Sequence, residues 1–541
     1  MTGYRNKLLV VQLALVAGVC CFFFFFGLGA FGLTGADEPR YAQIAREMLA
    51  RHDWIVPTLN GAPWLEKPAL LYWKMMNSYS IFGVSDWAAR VPAAFHAMAL
   101  VLGIFFFMRR FRFASELDAA MIAASSAGMI GFGRGASTDM LVSAPFALAM
   151  MSWWTWYQTS RKLWLMIFYG LLGVGALAKG PVAPALAVLV VGAYAVLRRD
   201  GKIFLRSLSI PGFILFFAIV LPWFVAIQAR VPQFFRVFFI EHNLERFGTN
   251  LYQHSQPFWY YIPVFLLATL PWTFFALPAL VEAGRNVFRR ESPEPSAAAD
   301  DGLPSFLFLW IVVPIIFFSI SRAKLPGYIL PAIPAAALLT ADYIHRLKAV
   351  PRLLTALHAL LCALLMVAAL MAPFAMVKQA PPQSLQIGMM VTGAVIAVMV
   401  LLMVRREGMR VLHFVTLVPT ILAVAFLLRP AAATIDRTQS ARPIHQRLTE
   451  LGVTASEPVA TFNVKRQVAY GLDFYRNQPI SHYEQEGPLD MPTGIPSAMH
   501  VVVAKEGSLG AVQAAVGSRR VLPLGAFPQQ HLEFFQVSAA K

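Results

Sequence analysis

Charge is scarce in this chain. Only 13% of its 541 residues are Asp, Glu, Lys or Arg, while 58% are hydrophobic. A soluble domain could not hide that much apolar surface, which excludes a water-soluble globular protein. Cysteine is scarce too: Cys20, Cys21 and Cys362 all lie in apolar runs. They read as buried free thiols and exclude a disulfide framework. Acidic residues number 28 against 45 basic ones, for a formal charge of +17. The basic residues cluster between apolar spans, a pattern of membrane topology and not of nucleic-acid binding. A nucleotide cradle is missing as well, because Gly131-Phe-Gly133-Arg-Gly135 lacks the flanking pattern and reads as a turn.

What is abundant is apolar sequence in lengths of about 20 residues, the thickness of a bilayer. Thirteen spans are expected: 8–33, 87–108, 117–132, 138–158, 163–178, 181–197, 208–229, 258–281, 304–320, 327–344, 352–377, 385–404 and 410–429. The first is too long for a signal-peptide core and reads as a retained helix. Basic clusters from Arg109/Arg110/Arg112 to Arg405/Arg406/Arg410 fall in alternate loops, on the same side as Arg5 and Lys7. That side is cytoplasmic by the positive-inside rule, which puts the C-terminus outside. Residues 1–429 form the expected membrane domain, with ordered external loops at 34–86 and 230–257. Residues 430–541 differ: Pro458–Asn463 and His500–Ala504 read as strands and Ile444–Leu451 as helix, giving a small external α/β domain. No catalytic constellation is visible in it.

Four external segments carry dense charge beside the bilayer, where unpaired charge is expensive. In Asp37-Glu38-Pro39-Arg40-Tyr41, Pro39 suits a first helical turn, and Asp37 either caps that helix or faces a substrate. In Glu66-Lys67-Pro68, Lys67 sits beside another helix start; it either holds an anion or snorkels against Glu66. In Glu241-His242…Glu245-Arg246, i,i+4 pairs share a helix face. That face is either solvated and locally paired, or His242 and His254 with Glu66 bind a metal. The fourth, Ser321-Arg322-Ala-Lys324-Leu-Pro326-Gly-Tyr328, is a basic loop on the external side, against the usual bias; an anionic ligand there supplies the reason. Asp139 at the head of one span and Lys179 in Ala-Lys-Gly-Pro are further membrane-edge charges.

Taken in order, Asp37-Glu38-Pro-Arg40-Tyr41, Trp54-Ile-Val-Pro57, Glu66-Lys67-Pro68, Lys179-Gly180, Glu241-His242…Arg246-Phe247…His254…Pro257-Phe-Trp-Tyr-Tyr261 and Lys324-Leu-Pro-Gly-Tyr328-Ile-Leu-Pro331 resemble one family. It is the 4-amino-4-deoxy-L-arabinose transferases of Gram-negative bacteria, ArnT, which belong to the GT-C membrane glycosyltransferases related to protein O-mannosyltransferases. The resemblance covers roughly residues 8–345. It implies a polytopic α-helical GT-C fold with periplasmic juxtamembrane helices, in the bacterial inner membrane, with the N-terminus cytoplasmic and the C-terminal domain periplasmic.

The implied reaction moves an aminoarabinose from undecaprenyl phosphate to lipid A phosphates, with inversion, giving resistance to polymyxin and other cationic peptides. Asp37 and Asp139 match the family's functional aspartates. Lys67 and Arg246 match positions that hold the carrier phosphate, with Arg40 and Tyr41 nearby, and Lys179, Lys324 and Tyr328 match further cavity positions. Glu66, His242 and His254 resemble a site for a divalent metal such as zinc. No nucleotide is implied, because a lipid-linked donor is already activated. The implied partners are the donor lipid, lipid A and the bilayer, with no nucleic acid and a monomeric protein. Two alternatives stand beside this: a transferase of the same fold using another polyprenyl-phosphate sugar or a protein or glycan acceptor, and a lipid transporter or flippase. Transporters place charge at the midplane and often contain inverted repeats. The spans here read as nearly uncharged, and no repeat is apparent.

Overall fold

The computed structural model describes residues 2–238, 256–288, 302–484 and 491–540. Within a bilayer a helix satisfies every backbone N–H and C=O internally, so the apolar runs fold as helices. Nine described helices are long and apolar enough to cross a membrane, from Asn6–Phe25 and Asp86–Phe111 to Met409–Leu428. Each of the thirteen expected stretches contains helix, but the first, 8–33, leaves its helix at Phe25, and two others are interrupted. The stretch 117–132 divides into Glu116–Ser125 and Ala127–Gly133, because Ser126 is extended (ψ 133°). The stretch 258–281 divides into Tyr261–Ala268 and Thr273–Phe288 around Pro271, which has no N–H to continue a helix. The two breaks brace each other: Ala127 N–H donates to the Leu270 carbonyl (2.8 Å), and Trp272 Nε1 donates to Ser125 Oγ (2.9 Å).

Three other expectations need correction. Cys21 is exposed on the outer face of the first helix, while Cys20 and Cys362 are buried. Gly131 and Gly133 close a helix, and the turn begins only at Arg134. The spans are also less apolar inside than their composition suggests. Arg90 is buried with Glu38, His413 pairs with Asp118, and His358 bonds Thr416 Oγ1 at 2.8 Å.

The elements between the first two long helices are short and held by side chains. Helix Asp37–Ala50 buries Tyr41, Ile44, Ala45 and Met48, one apolar face at i, i+3, i+4, i+7 spacing. A hairpin follows, β1 (Thr58–Leu59) and β2 (Ala62–Pro63), turning through Asn60 (φ 54°) and Gly61 (φ 78°). Asn-Gly tolerates that left-handed pair, which a tight hairpin turn requires. The Glu47 carboxylate accepts from Asn60 N–H (2.8 Å), Gly61 N–H (3.2 Å) and Thr58 Oγ1 (2.7 Å), tying the turn to the helix.

The C-terminal part is a five-stranded mixed sheet of β3 (Val459–Phe462), β4 (Ser481–His482), β5 (His500–Lys505), β6 (Val521–Phe527) and β7 (Leu532–Val537), in spatial order β4-β3-β5-β7-β6. β3 runs parallel to β4 and β5, and β7 antiparallel to β5 and β6. The helix Arg442–Glu450 lies where the sequence places it.

This part grips the chain where it leaves the first span. Asp436 Oδ1 accepts from Gly32 N–H (2.8 Å), and Tyr475 OH accepts from Leu33 N–H (2.7 Å). Arg442 bridges Asp436 (2.8 Å) and Asp86 (3.0 Å). A Cβ at Gly32 would run into the oxygens of Ser440 and Tyr475, so only glycine fits.

Candidate active site at the membrane edge

Asp37 is the first residue of its helix, with Ala36 at the N-cap and no side-chain cap. Its carboxylate is 53% exposed and pairs with Arg40 one turn later, at 2.5 Å. Capping is therefore not its role, and the group remains available to a ligand. Arg40 is 11% exposed. Its guanidinium lies over three rings, Trp64 (4.8 Å), Tyr470 (5.2 Å) and Tyr41 (5.4 Å). Tyr41 is buried edge-on to Tyr72. Burial, and then the Asp37 carboxylate, push the Tyr41 phenol well up, so it stays neutral. Glu66 acts electrostatically on Arg40, Tyr41 and Tyr72, which places it in the same cluster. Lys67 is half-buried, three residues ahead of helix Leu70–Phe82, and its Nζ donates to the Glu66 carbonyl (3.2 Å).

The neighbour of Asp37 does something different. Glu38 is 8% exposed and accepts two bonds from Arg90, at 3.0 and 2.7 Å. It also accepts from the Thr34 N–H and the Ala136 N–H, each at 2.7 Å. Burial pushes the carboxyl up, but Arg90 and the two backbone donors outweigh it and hold it below its ordinary value. Through Ala136, Glu38 fixes the loop that starts helix Thr138–Thr159, the helix bearing Asp139. One buried carboxylate thus ties together the two helix starts that carry the two aspartates. Sequence reading passed over Glu38 and Arg90; the signal was an arginine four residues into an apolar span, which needs a partner.

Asp139 pairs with Lys179 at 2.5 Å, and the Lys179 ammonium lies 4.8 Å from the centre of the Tyr328 ring. The loop before Tyr328 closes on this pair. A Cβ at Gly327 would sit 2.7 Å from Asp139 Cγ and 2.9 Å from the Phe132 ring. A Gly327→Ala substitution is therefore expected to displace the Asp139 carboxylate and cut turnover about tenfold, measured in a transfer assay with purified protein. Lys324 differs from the sequence expectation of an anion ligand. Its Nζ donates to the carbonyls of Ser321 and Gln256 (3.0 Å), so it braces the loop.

Arg246, His242 and His254 lie outside the described residues. Of the expected metal ligands only Glu66 is described, and among the described residues no three His, Cys, Asp or Glu side chains form a metal-holding group.

Beside Lys179 an apolar trough opens to the lipid-facing surface. Its outer section, about 630 Å³, starts at Gly180 and Pro181 and is walled by Phe216, Phe217, Phe224 and Phe235. A second section, about 790 Å³, shares Phe217, Leu221 and Val225 and continues to Ile210. The trough follows helix Ile210–Arg230, 21 residues, for roughly 30 Å at 1.5 Å per residue. Trp223 Nε1 on this helix donates to the Ile55 carbonyl (3.0 Å), and Arg230 pairs with Asp53 (3.0 Å). The trough is thereby tied to the loop that leads to Glu66 and Lys67.

A helical membrane body, charged juxtamembrane helices and a small sheet domain over the charged edge define a polytopic α-helical membrane protein. Known proteins of similar sequence and fold are membrane glycosyltransferases. The family model described as dolichyl-phosphate-mannose-protein mannosyltransferase matches residues 12–238. The undecaprenyl phosphate-alpha-4-amino-4-deoxy-L-arabinose arabinosyl transferase of Edwardsiella ictaluri is 34% identical over 319 residues, 58% of this chain and 55% of that protein. A transferase of the same name from Pseudomonas fluorescens is 31% identical over 358 residues, 65% and 59% of the two chains. The matched region thus spans little more than half the length of these relatives. The crystal structure of ArnT from Cupriavidus metallidurans bound to undecaprenyl phosphate superimposes with a TM-score of 0.77 over 98% of both chains, at 22% identity. Over a little more than half of its length the chain resembles these arabinosyl transferases, and it shares the fold of ArnT from Cupriavidus metallidurans.

Proposed function

We propose that the protein is an inner-membrane pentosyltransferase that moves 4-amino-4-deoxy-L-arabinose from undecaprenyl phosphate to phosphate groups of lipid A, on the periplasmic face. The observation that carries this reading is the Lys179–Asp139 ion pair, one residue along the chain from Gly180, where a roughly 30 Å apolar trough begins. A polyprenyl chain fits the trough, and its phosphate then arrives beside a fixed positive charge.

In the reaction an acceptor phosphate oxygen attacks the anomeric carbon from the face opposite the donor phosphate. The new C–O bond forms as the old one breaks, its electron pair leaves with undecaprenyl phosphate, and the configuration inverts. Charge grows on the departing phosphate, and Lys179, Lys67 and Arg246 stabilise it. A lipid A phosphate is already ionised near neutral pH, so no proton has to be removed from it. Asp37 therefore works through its charge and orients the substrates. A divalent ion held by Glu66, His242 and His254 would order the phosphates as a Lewis acid. Residues 1–429 supply the reacting groups, and residues 430–541 face the periplasm. The transferred sugar adds a cation to lipid A, which lowers its affinity for polymyxin.

The test is mass spectrometry of lipid A from a polymyxin-sensitive, transferase-null strain expressing the chain, beside an empty vector. A pentosamine-sized mass gain is expected only with the chain. No gain, with the protein inserted and the donor lipid present, would overturn the proposal, and a hexose-sized gain would assign another donor.

A further inference from the structure

Among its described residues the C-terminal domain has no cluster of catalytic side chains, yet one of its helices lies along the helix that bears Asp37. That helix, Arg466–Arg476, makes its contacts from Tyr470 onward. The Tyr470 ring faces the Arg40 guanidinium at 5.2 Å. Asp473 Oδ2 accepts from Asn60 Nδ2 (3.2 Å), the Phe474 carbonyl accepts from Arg46 (3.1 Å), and Tyr475 OH accepts from Leu33 N–H (2.7 Å). Tyr470 is 1% exposed, so its ring is fixed by its own packing.

Arg40 is the ion-pair partner of Asp37. Its Nε is buried and makes no hydrogen bond among the described residues. A guanidinium plane is usually set by a fork of hydrogen bonds. Here that fork is incomplete, and the plane is set by the rings of Trp64 and Tyr470, with Tyr41 beside them. Losing one ring frees the guanidinium to rotate, and the half-exposed Asp37 carboxylate turns with it. An aromatic face attracts a cation where an aliphatic side chain of similar size does not.

The geometry points to Tyr470 as a positioning residue for sugar transfer, acting through Arg40 on Asp37 from a separate domain. This inference rests on reading Asp37 as a substrate-facing carboxylate. It gives the C-terminal domain a part in turnover in addition to holding the loop.

The experiment compares Tyr470→Leu, Tyr470→Phe, Trp64→Leu and Asp37→Ala in the full chain, purified in detergent and assayed with the undecaprenyl-phosphate sugar and lipid A. Tyr470→Leu is expected to lower kcat roughly tenfold with KM for the donor within about twofold. Tyr470→Phe, which keeps the ring, restores kcat. Trp64→Leu removes the other stacking ring without touching the domain contact, so it gives the same kcat loss even if Tyr470→Leu fails to fold. Wild-type kcat in Tyr470→Leu or Trp64→Leu, equal loss in Tyr470→Phe, or a loss confined to KM would overturn the inference. Asp37→Ala separates the two readings. Full activity there sinks the assignment of the site, whereas an inactive Asp37→Ala beside a fully active Tyr470→Leu sinks only the positioning role.

Discussion

Asp37→Ala is expected to lose about 10²–10³ in turnover and almost nothing in stability. The carboxylate is 53% exposed and, among the described residues, bonded only to the side chain of Arg40. An exposed ion pair contributes roughly 0–1 kcal/mol. Its removal leaves Arg40 under the same three rings, and the helix loses no cap because Asp37 supplies none. The measurement is turnover together with the unfolding midpoint in detergent. An unchanged turnover removes Asp37 from the machinery.

Glu38→Ala, one residue along, is expected to cost about 3–5 kcal/mol, the usual penalty for stranding one partner of a buried ion pair. Arg90 would keep the carbonyls of Leu28, Phe31 and Gly32 but lose both carboxylate bonds. Thr34 and Ala136 would each lose an acceptor. The sign of the pH effect follows from the depressed carboxyl. Its contribution is complete above the ordinary carboxylate range and fades as pH falls through the lowered folded value. The unfolding midpoint of the intact protein should therefore fall on acidification through that window. In Glu38→Ala it should start lower and lose that part of the pH dependence. An equal midpoint for the two proteins at neutral pH would falsify the anchoring role.

Adjacent carboxylates with opposite fates mark the limit of what the sequence discloses. The motif Asp37-Glu38-Pro39-Arg40 announces a helix start and a charged site, and both are there. Which carboxylate faces solvent depends on Arg90 and Ala136, 52 and 98 residues away from Glu38. Apolar run length foretells the helices because in lipid a run of that length has little other choice. It does not foretell the breaks at Ser126 and Pro271, 145 residues apart, which stabilise each other. Lys324 shows the same limit from the other side. A lysine outside the positive-inside pattern suggests an anion, and the pattern does not disclose that two of its three N–H donors go to local carbonyls. Tyr470 was not legible at all, since nothing near it in the chain hints at an arginine 430 residues earlier.

The grip of Asp436 and Tyr475 on Gly32 and Leu33 has a consequence for how the protein is made. Those bonds join residues 404 and 442 positions apart. A chain synthesised from its N-terminus inserts its first helix long before Asp436 or Tyr475 exists, and contacts so distant in sequence form late. The juxtamembrane helix must wait, unclamped, through the insertion of every later span, and it is locked only when the last part of the chain has folded. Assembly of the membrane body and onset of activity are thereby separated in time. A product that ends between Leu428 and Tyr470 would hold the described membrane helices and still leave Arg40 without the Tyr470 ring.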